Sequence, residues 1–224
     1  MVAERSELES ALVSPSPQAD VSASEVPLRL GVLASGSGSN FEVIARAIAA
    51  GQLNARLQVV AYDRPQAPVA QRAQQWRVPA ELCRPRRSGD TREAFDRALV
   101  ARLQAYGVEW VAMAGWMRIV TPTFIAAFPD RAINIHPSLL PSFKGLRAIE
   151  QALEAGVTIT GCTAHVVRSE VDSGPILMQA AVPVRAGDTP ETLRARVQAQ
   201  EHAILPAAIA LASSPASSRL RAGE

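Results

Sequence analysis

The segment Asn134-Ile135-His136-Pro137-Ser138-Leu139-Leu140-Pro141 joins an amide and an imidazole at the end of a short apolar run. Residues two apart on an extended strand project to the same side, so Asn134 and His136 share a face. An amide N–H can stabilise a carbonyl oxygen that gains negative charge, and an imidazole with an ordinary pKa of about 6.5 exchanges protons at neutral pH. That division of labour suits acyl transfer, and in other enzymes losing one such oxyanion donor costs roughly two to three decades of rate. The imidazole needs a carboxylate to orient it and favour its charged form. Asp172, in Ser169-Glu170-Val171-Asp172-Ser173-Gly174, is the best candidate, with the Ser173-Gly174 bend able to aim it inward. Taken alone, Asp172 is equally a solvated turn acid. His165 and His202 are read as structural, with His165 the better placed of the two because its strand can border a pocket.

A second group is the run Ser35-Gly36-Ser37-Gly38-Ser39-Asn40. Its glycines permit positive φ and its hydroxyls donate hydrogen bonds just before a helix start, an arrangement that receives phosphate. The same run suits a dinucleotide-binding dehydrogenase, with Asp63 ending the next strand where a ribose-binding acid belongs. Phe41 stands at the third glycine position of that pattern, which weakens it. A plain turn with a Ser or Asn helix cap is the structural alternative.

Strand-length apolar runs alternate with amphipathic stretches of helical length, the pattern of βαβ units. Strands are expected at 30–34, 57–62, 79–82, 110–114, 132–135, 158–167 and 176–184, and helices at 41–50, 69–76, 91–106, 146–154 and from Thr189 through Ile209. The expected fold class is α/β: a Rossmann-like, mostly parallel twisted sheet flanked by helices and extended by the later strands. In such sheets the chemistry gathers at the carboxyl ends of the strands. That singles out the residues at 36–40, 117–120, 134–136 and around Asp172.

With 224 residues, 48% of them hydrophobic and 20% charged, the chain suits one well-buried domain. The formal charge of +2 gives no basic stripe, so no nucleic-acid partner is expected. No apolar run has the length of a membrane span, and residues 1–26 lack the order of a secretory signal, so a cytoplasmic protein is expected. Cys83 and Cys162 lie far apart and form no CxxC pair; neither a metal nor a disulfide is expected. Residues 1–26 and 213–224 carry no period and are read as a disordered extension and a flexible tail flanking a catalytic domain at 27–212.

Five motifs in order carry a resemblance: Ser-Gly-x-Gly-Ser-Asn at 35–40, Ala-Gly-x-Met-Arg-Ile at 114–119, Asn-Ile-His-Pro-Ser-Leu-Leu-Pro at 134–141, Asp-x-Gly-Pro at 172–175 and Gln-x-x-Glu-His at 198–202. Together they resemble the folate-dependent phosphoribosylglycinamide formyltransferase family, over about 29–211. The resemblance implies transfer of a formyl group from 10-formyltetrahydrofolate, a co-substrate, to the amine of glycinamide ribonucleotide in purine biosynthesis, by a monomer or homodimer. It implies that Gly38, Ser39, Asn40, Gln198 and Glu201 hold the ribonucleotide. The folate pocket would comprise Arg92, Met117, Arg118, Ile119, Val120 and Asn134, with the loop Arg168, Ser169, Glu170, Val171 and Asp172 closing over the pterin. His136 is implied as the catalytic acid, Asp172 as its tuner and Asn134 as the oxyanion donor.

Asp63, Arg147 and Ile149 depart from the family pattern. The resemblance leaves two relatives to weigh. A methionyl-tRNA formyltransferase is expected to carry a further C-terminal RNA-binding domain. A formyltetrahydrofolate hydrolase would use the same His and Asp with water as acceptor, and usually carries His where Pro137 stands.

Overall fold

In the computed structural model, residues 12–16, 26–84 and 91–214 are described. The chain runs β1 (Leu12–Ser14), β2 (Leu28–Ala34), α1 (Ser39–Ala49), β3 (Ala55–Tyr62), α2 (Val69–Gln75), β4 (Ala80–Leu82), α3 (Arg92–Ala105) and β5 (Trp110–Met113). It continues through α4 (Pro122–Ala127), β6 (Ala132–His136), α5 (Ala148–Glu154), β7 (Ile159–Val166), β8 (Ile176–Pro183) and α6 (Pro190–Ser213). The strands form one eight-stranded sheet in the order β1-β8-β7-β6-β5-β2-β3-β4.

Strands β2 to β6 pair in parallel, and β7, β8 and β1 extend the sheet antiparallel from β6. From β2 the chain winds outward through β3 and β4, then returns to lay β5 on the other side of β2. That reversal opens a crevice between the loops leaving β2 and β5, the place where open α/β sheets bind ligands. The sheet is buried on both faces. Val32 and Leu33, consecutive on β2 and therefore on opposite faces, are both fully buried, one in each of two apolar clusters. One cluster packs beneath α1, α2 and α6, the other beneath α3 and α4.

Three local readings need correction. Residues 12–14, expected without regular structure, form β1 on the outer edge of β8. A sheet edge offers unpaired N–H and C=O groups to any extended segment, and three residues are too few to show a period. The short helix α4 was not anticipated; its Pro122 sits in the first turn, where the missing N–H costs nothing. Helix α5 starts at Ala148 rather than Leu146, because Arg147 takes a left-handed φ of 61° immediately before it. The remaining extension residues and the tail at 215–224 lie outside the described residues.

Candidate active site

The strand β6 delivers Asn134 and His136 to its carboxyl end, and the register pairs Asn134 with His165 on β7. Asp172 completes the group from the β7–β8 turn, in a left-handed conformation with φ of 49°. Its turn folds back so closely that a Cβ on Gly174 would lie 1.8 Å from the Val166 carbonyl oxygen. Only glycine fits there, which is the physical reason for glycine two residues after the acid.

His136 and Asp172 have side chains only 7% and 9% exposed, with His136 Nδ1 3.3 Å from Asp172 Oδ2. His136 Nε2 lies 2.9 Å from the Phe143 carbonyl, which accepts its hydrogen. The backbone N–H of Gly145 donates to Asp172 Oδ2 at 2.8 Å. His165 Nδ1 donates to the Val166 carbonyl at 3.0 Å, and in the tautomer with its one ring hydrogen there, Nε2 accepts from Asn134 Nδ2 at 3.1 Å. Nε2 of His165 also lies 3.5 Å from Asp172 Oδ1. One hydrogen of the Asn134 amide is thereby committed and the other remains.

Burial pushes the His136 pKa below the ordinary imidazole value; Asp172 favours the charged form, as the sequence predicts, but it and the Phe143 carbonyl only partly offset burial. Burial pushes the Asp172 carboxyl upward, but the His165 contact, the Gly145 N–H and the two imidazoles together hold it below the usual carboxylate range. The resting pair is therefore a carboxylate beside a neutral imidazole.

Beside this group lies a cleft of about 420 Å³, lined by Gly38, Ser39, Asn40, Gln198 and Glu201 and bordered by Ile135 and Pro137 on either side of His136. Gly38 caps α1 with φ of 76° and, having no side chain, gives the helix's first N–H groups no cap. The first residues of the helix, Ser39 and Asn40, line the cleft. A Cβ on Gly38 would meet Val69 Cγ2 at 2.5 Å, whereas one on Gly36 would meet nothing within 4 Å. Arg72 Nε donates to the Ser37 carbonyl at 2.8 Å and fixes the loop from behind.

Across the cleft, Gln198 Nε2 donates to Ser39 Oγ at 3.2 Å and Asn40 Nδ2 to Glu201 Oε2 at 2.9 Å. Burial raises the Glu201 carboxyl pKa, opposed by the Asn40 bond. The Asn40 Oδ1 atom is buried with no partner among the described residues.

The residues assigned to the ribonucleotide thus gather in one place, while those assigned to folate are more dispersed. Met117 is the one member of the folate set that lines this cleft. Met117 and Ile119 expose their side chains and Val120 is buried. The Arg118 guanidinium sits over Phe95, its carbon 4.2 Å from the ring centroid, and 3.9 Å from Asp63 Oδ2. That contact gives Asp63 a role other than binding a ribose.

Arg92 opens α3 and is exposed. Arg168 pairs with Asp130 at 2.6 Å and Glu170 with Lys144 at 3.2 Å, with Ser169 and Val171 exposed on the same turn. His165, expected to be structural, contacts both Asn134 and Asp172, as its position on the strand beside Asn134 could signal. Phe143 and Gly145 act through backbone groups, which leave no mark in side-chain chemistry.

Residues 28–209 match the formyl transferase family model. The chain is 39% identical to phosphoribosylglycinamide formyltransferase of Bacillus subtilis over 181 residues, covering 81% of this chain and 92% of that protein. It is 40% identical to the human trifunctional purine biosynthetic protein adenosine-3, and the match covers 83% of this chain but 18% of that longer protein. Among solved structures it is similar to glycinamide ribonucleotide transformylase 1 from Symbiobacterium toebii, with 51% identity, a TM-score of 0.81 and coverage of 83% of this chain and 87% of that one. Phosphoribosylglycinamide formyltransferase from Bacillus halodurans matches with a TM-score of 0.80 and 40% identity over 86% of this chain and 98% of that one. Motifs, sheet and neighbours agree, and the chain belongs to the formyl transferase family.

Proposed function

We propose that this site transfers the formyl group of 10-formyltetrahydrofolate to the amine of glycinamide ribonucleotide, giving formylglycinamide ribonucleotide and tetrahydrofolate in purine biosynthesis. The observation that carries the reading is the adjacency of two groups. Asn134, His136 and Asp172 meet at the end of β6, and Pro137, the next residue, lines a cleft floored by the uncapped N-terminus of α1. The first group handles a carbonyl and a proton; the second receives a phosphate.

The ribonucleotide phosphate takes the free N–H groups of α1 at Gly38, Ser39 and Asn40, and its remaining polar groups reach Gln198 and Glu201. The folate lies against Arg92 and the loop Met117, Arg118, Ile119, Val120, beneath Arg168, Ser169, Glu170 and Val171. The glycinamide amine attacks the formyl carbon directly. The carbonyl oxygen becomes an oxyanion, which the uncommitted N–H of Asn134 receives.

The amine nitrogen, positive after attack, gives a proton to His136, which is neutral at rest. With Nε2 committed to Phe143, Nδ1 is the nitrogen that gains it, and Asp172 stabilises the cation so formed. The same proton passes to the departing folate nitrogen as its bond to the formyl carbon breaks. Holding both reactants in one crevice supplies much of the acceleration, and no covalent protein intermediate and no metal is assigned a role. The reading includes a cytoplasmic enzyme, monomeric or homodimeric, acting on small molecules.

Turnover of 10-formyltetrahydrofolate measured with and without glycinamide ribonucleotide tests the reading. Consumption should require the ribonucleotide. Equal consumption with water alone would assign the site to a hydrolase.

A further inference from the structure

We infer that Ser35 and Asp96 are positioning residues that clamp the two ends of the loop carrying residues 117–120, and thereby set folate affinity without touching the folate. The inference rests on the reading of that loop as the folate side. The loop joins β5 to α4 and has no ladder of its own. At its start, Ser35 Oγ accepts a hydrogen bond from the Met117 backbone N–H at 3.0 Å, and the Ser35 N–H donates to the Gly115 carbonyl at 3.0 Å. At its end, Asp96 Oδ2 accepts from the Thr121 backbone N–H at 2.6 Å. Ser35 is 1% exposed and Asp96 3% exposed.

A carboxylate so far from water is costly unless its bonds repay it, and the short bond to the Thr121 amide is one such repayment. Between the anchors, Trp116 stacks on Phe95 with centroids 6.3 Å apart, and Phe95 also carries Arg118. The backbone is therefore held at both ends and in the middle, while Met117 and Ile119 stay 55% and 54% exposed. Apolar side chains presented to water from a fixed backbone form a ready-made surface for a flat organic ligand, and fixing them beforehand lowers the ordering cost of binding.

The two anchors differ in reach: Asp96 bonds only the far end of the loop, whereas Ser35 holds Met117 and Gly115, which also border the ribonucleotide cleft. Ser35 directly follows β2, whose main chain is paired with both β3 and β5. Loss of its hydroxyl releases the Met117 amide but leaves the 36–40 loop where the ladders put it. Asp96, on α3, is a bond partner of the 117–121 segment and not of the ribonucleotide cleft.

The test measures KM for each substrate and kcat in the wild type, Ser35→Ala, Asp96→Ala and Asp96→Asn, together with calorimetric binding of 10-formyltetrahydrofolate alone. Ser35→Ala and Asp96→Ala should each raise the folate KM about fivefold to tenfold, the effect of one lost hydrogen bond. In Asp96→Ala, KM for the ribonucleotide and kcat should stay within about twofold of wild type, well inside that effect. Asp96→Asn keeps an oxygen for the Thr121 amide and should recover most of the affinity. Unchanged folate KM in Ser35→Ala, a parallel rise in both KM values in Asp96→Ala, or a fall in kcat alone would overturn the clamp. Should Asp96→Ala fail to fold, Ser35→Ala and Asp96→Asn still decide. A wild type that does not bind the folate would condemn the functional reading itself, independently of the variants.

Discussion

Replacing Asp172 with Asn separates charge from shape. The amide oxygen can still accept the Gly145 N–H, so the turn should keep its place, but the negative charge beside His136 is gone. At 3.3 Å, two unit charges attract by about 5 kcal/mol at an effective dielectric of roughly 20. The Asp172 charge is spread over two oxygens and shared with the Gly145 N–H, which leaves about half of that, roughly 2–3 kcal/mol, for a protonated His136. The cation forms only during turnover, so the loss falls on kcat, by about one hundredfold.

The pH profile carries the sign. Burial already places the His136 pKa below the ordinary imidazole value, and Asp172 is one of the groups that raise it. The wild-type acid limb should therefore lie below about pH 6.5, and Asp172→Asn should move it further down. Steady-state kcat against pH for both proteins, with circular dichroism to confirm the fold, is the assay. A variant within threefold of wild type, or an acid limb displaced upward, would refute the reasoning.

Asn134→Ala removes the amide that faces the developing oxyanion and should lower kcat by roughly two to three decades with substrate KM values little changed; a rate near wild type in steady-state kinetics would exclude it as the donor. Gly38→Ala places a Cβ against Val69 in a left-handed backbone, so it should lower the Tm and raise the ribonucleotide KM, while Gly36→Ala, with open space around it, should do neither. Equal thermal melts for the two would show that the backbone conformation at 38 is not limiting. Glu201→Gln relieves a buried carboxyl whose pKa burial has raised, and its amide can donate to the unpartnered Asn40 Oδ1. The Tm should rise with the gain largest at alkaline pH, where the ionised carboxyl is most costly, and ribonucleotide affinity should fall. A variant less stable than wild type at pH 8 would contradict this.

Most of the sheet was legible because its strands are buried on both faces and read as apolar runs between turn residues, as at 110–114 and 132–135. The site was legible where chemistry is carried by side chains at strand ends: Asn134, His136 and the glycine loop. It was less so where tertiary contacts decide. The strand β1 exists only because β8 offers an edge, and α4 is too short to establish a period.

The state of His136 turned on a competition between burial and a neighbouring charge. Residue types name both participants but not the winner. Phe143 and Gly145 act through main-chain groups that every residue possesses. Asp96 reads as one more acid on an amphipathic helix until the fold puts the Thr121 amide against it.

The most direct measurement uses 10-formyltetrahydrofolate labelled with carbon-14 in the formyl group, mixed with enzyme and glycinamide ribonucleotide and quenched on the millisecond scale. Label should pass from folate to the ribonucleotide with matching rise and fall, and none should reside on protein. Label on the polypeptide at early times, or its release as formate in place of the formylated ribonucleotide, would contradict direct transfer between two substrates held in one crevice.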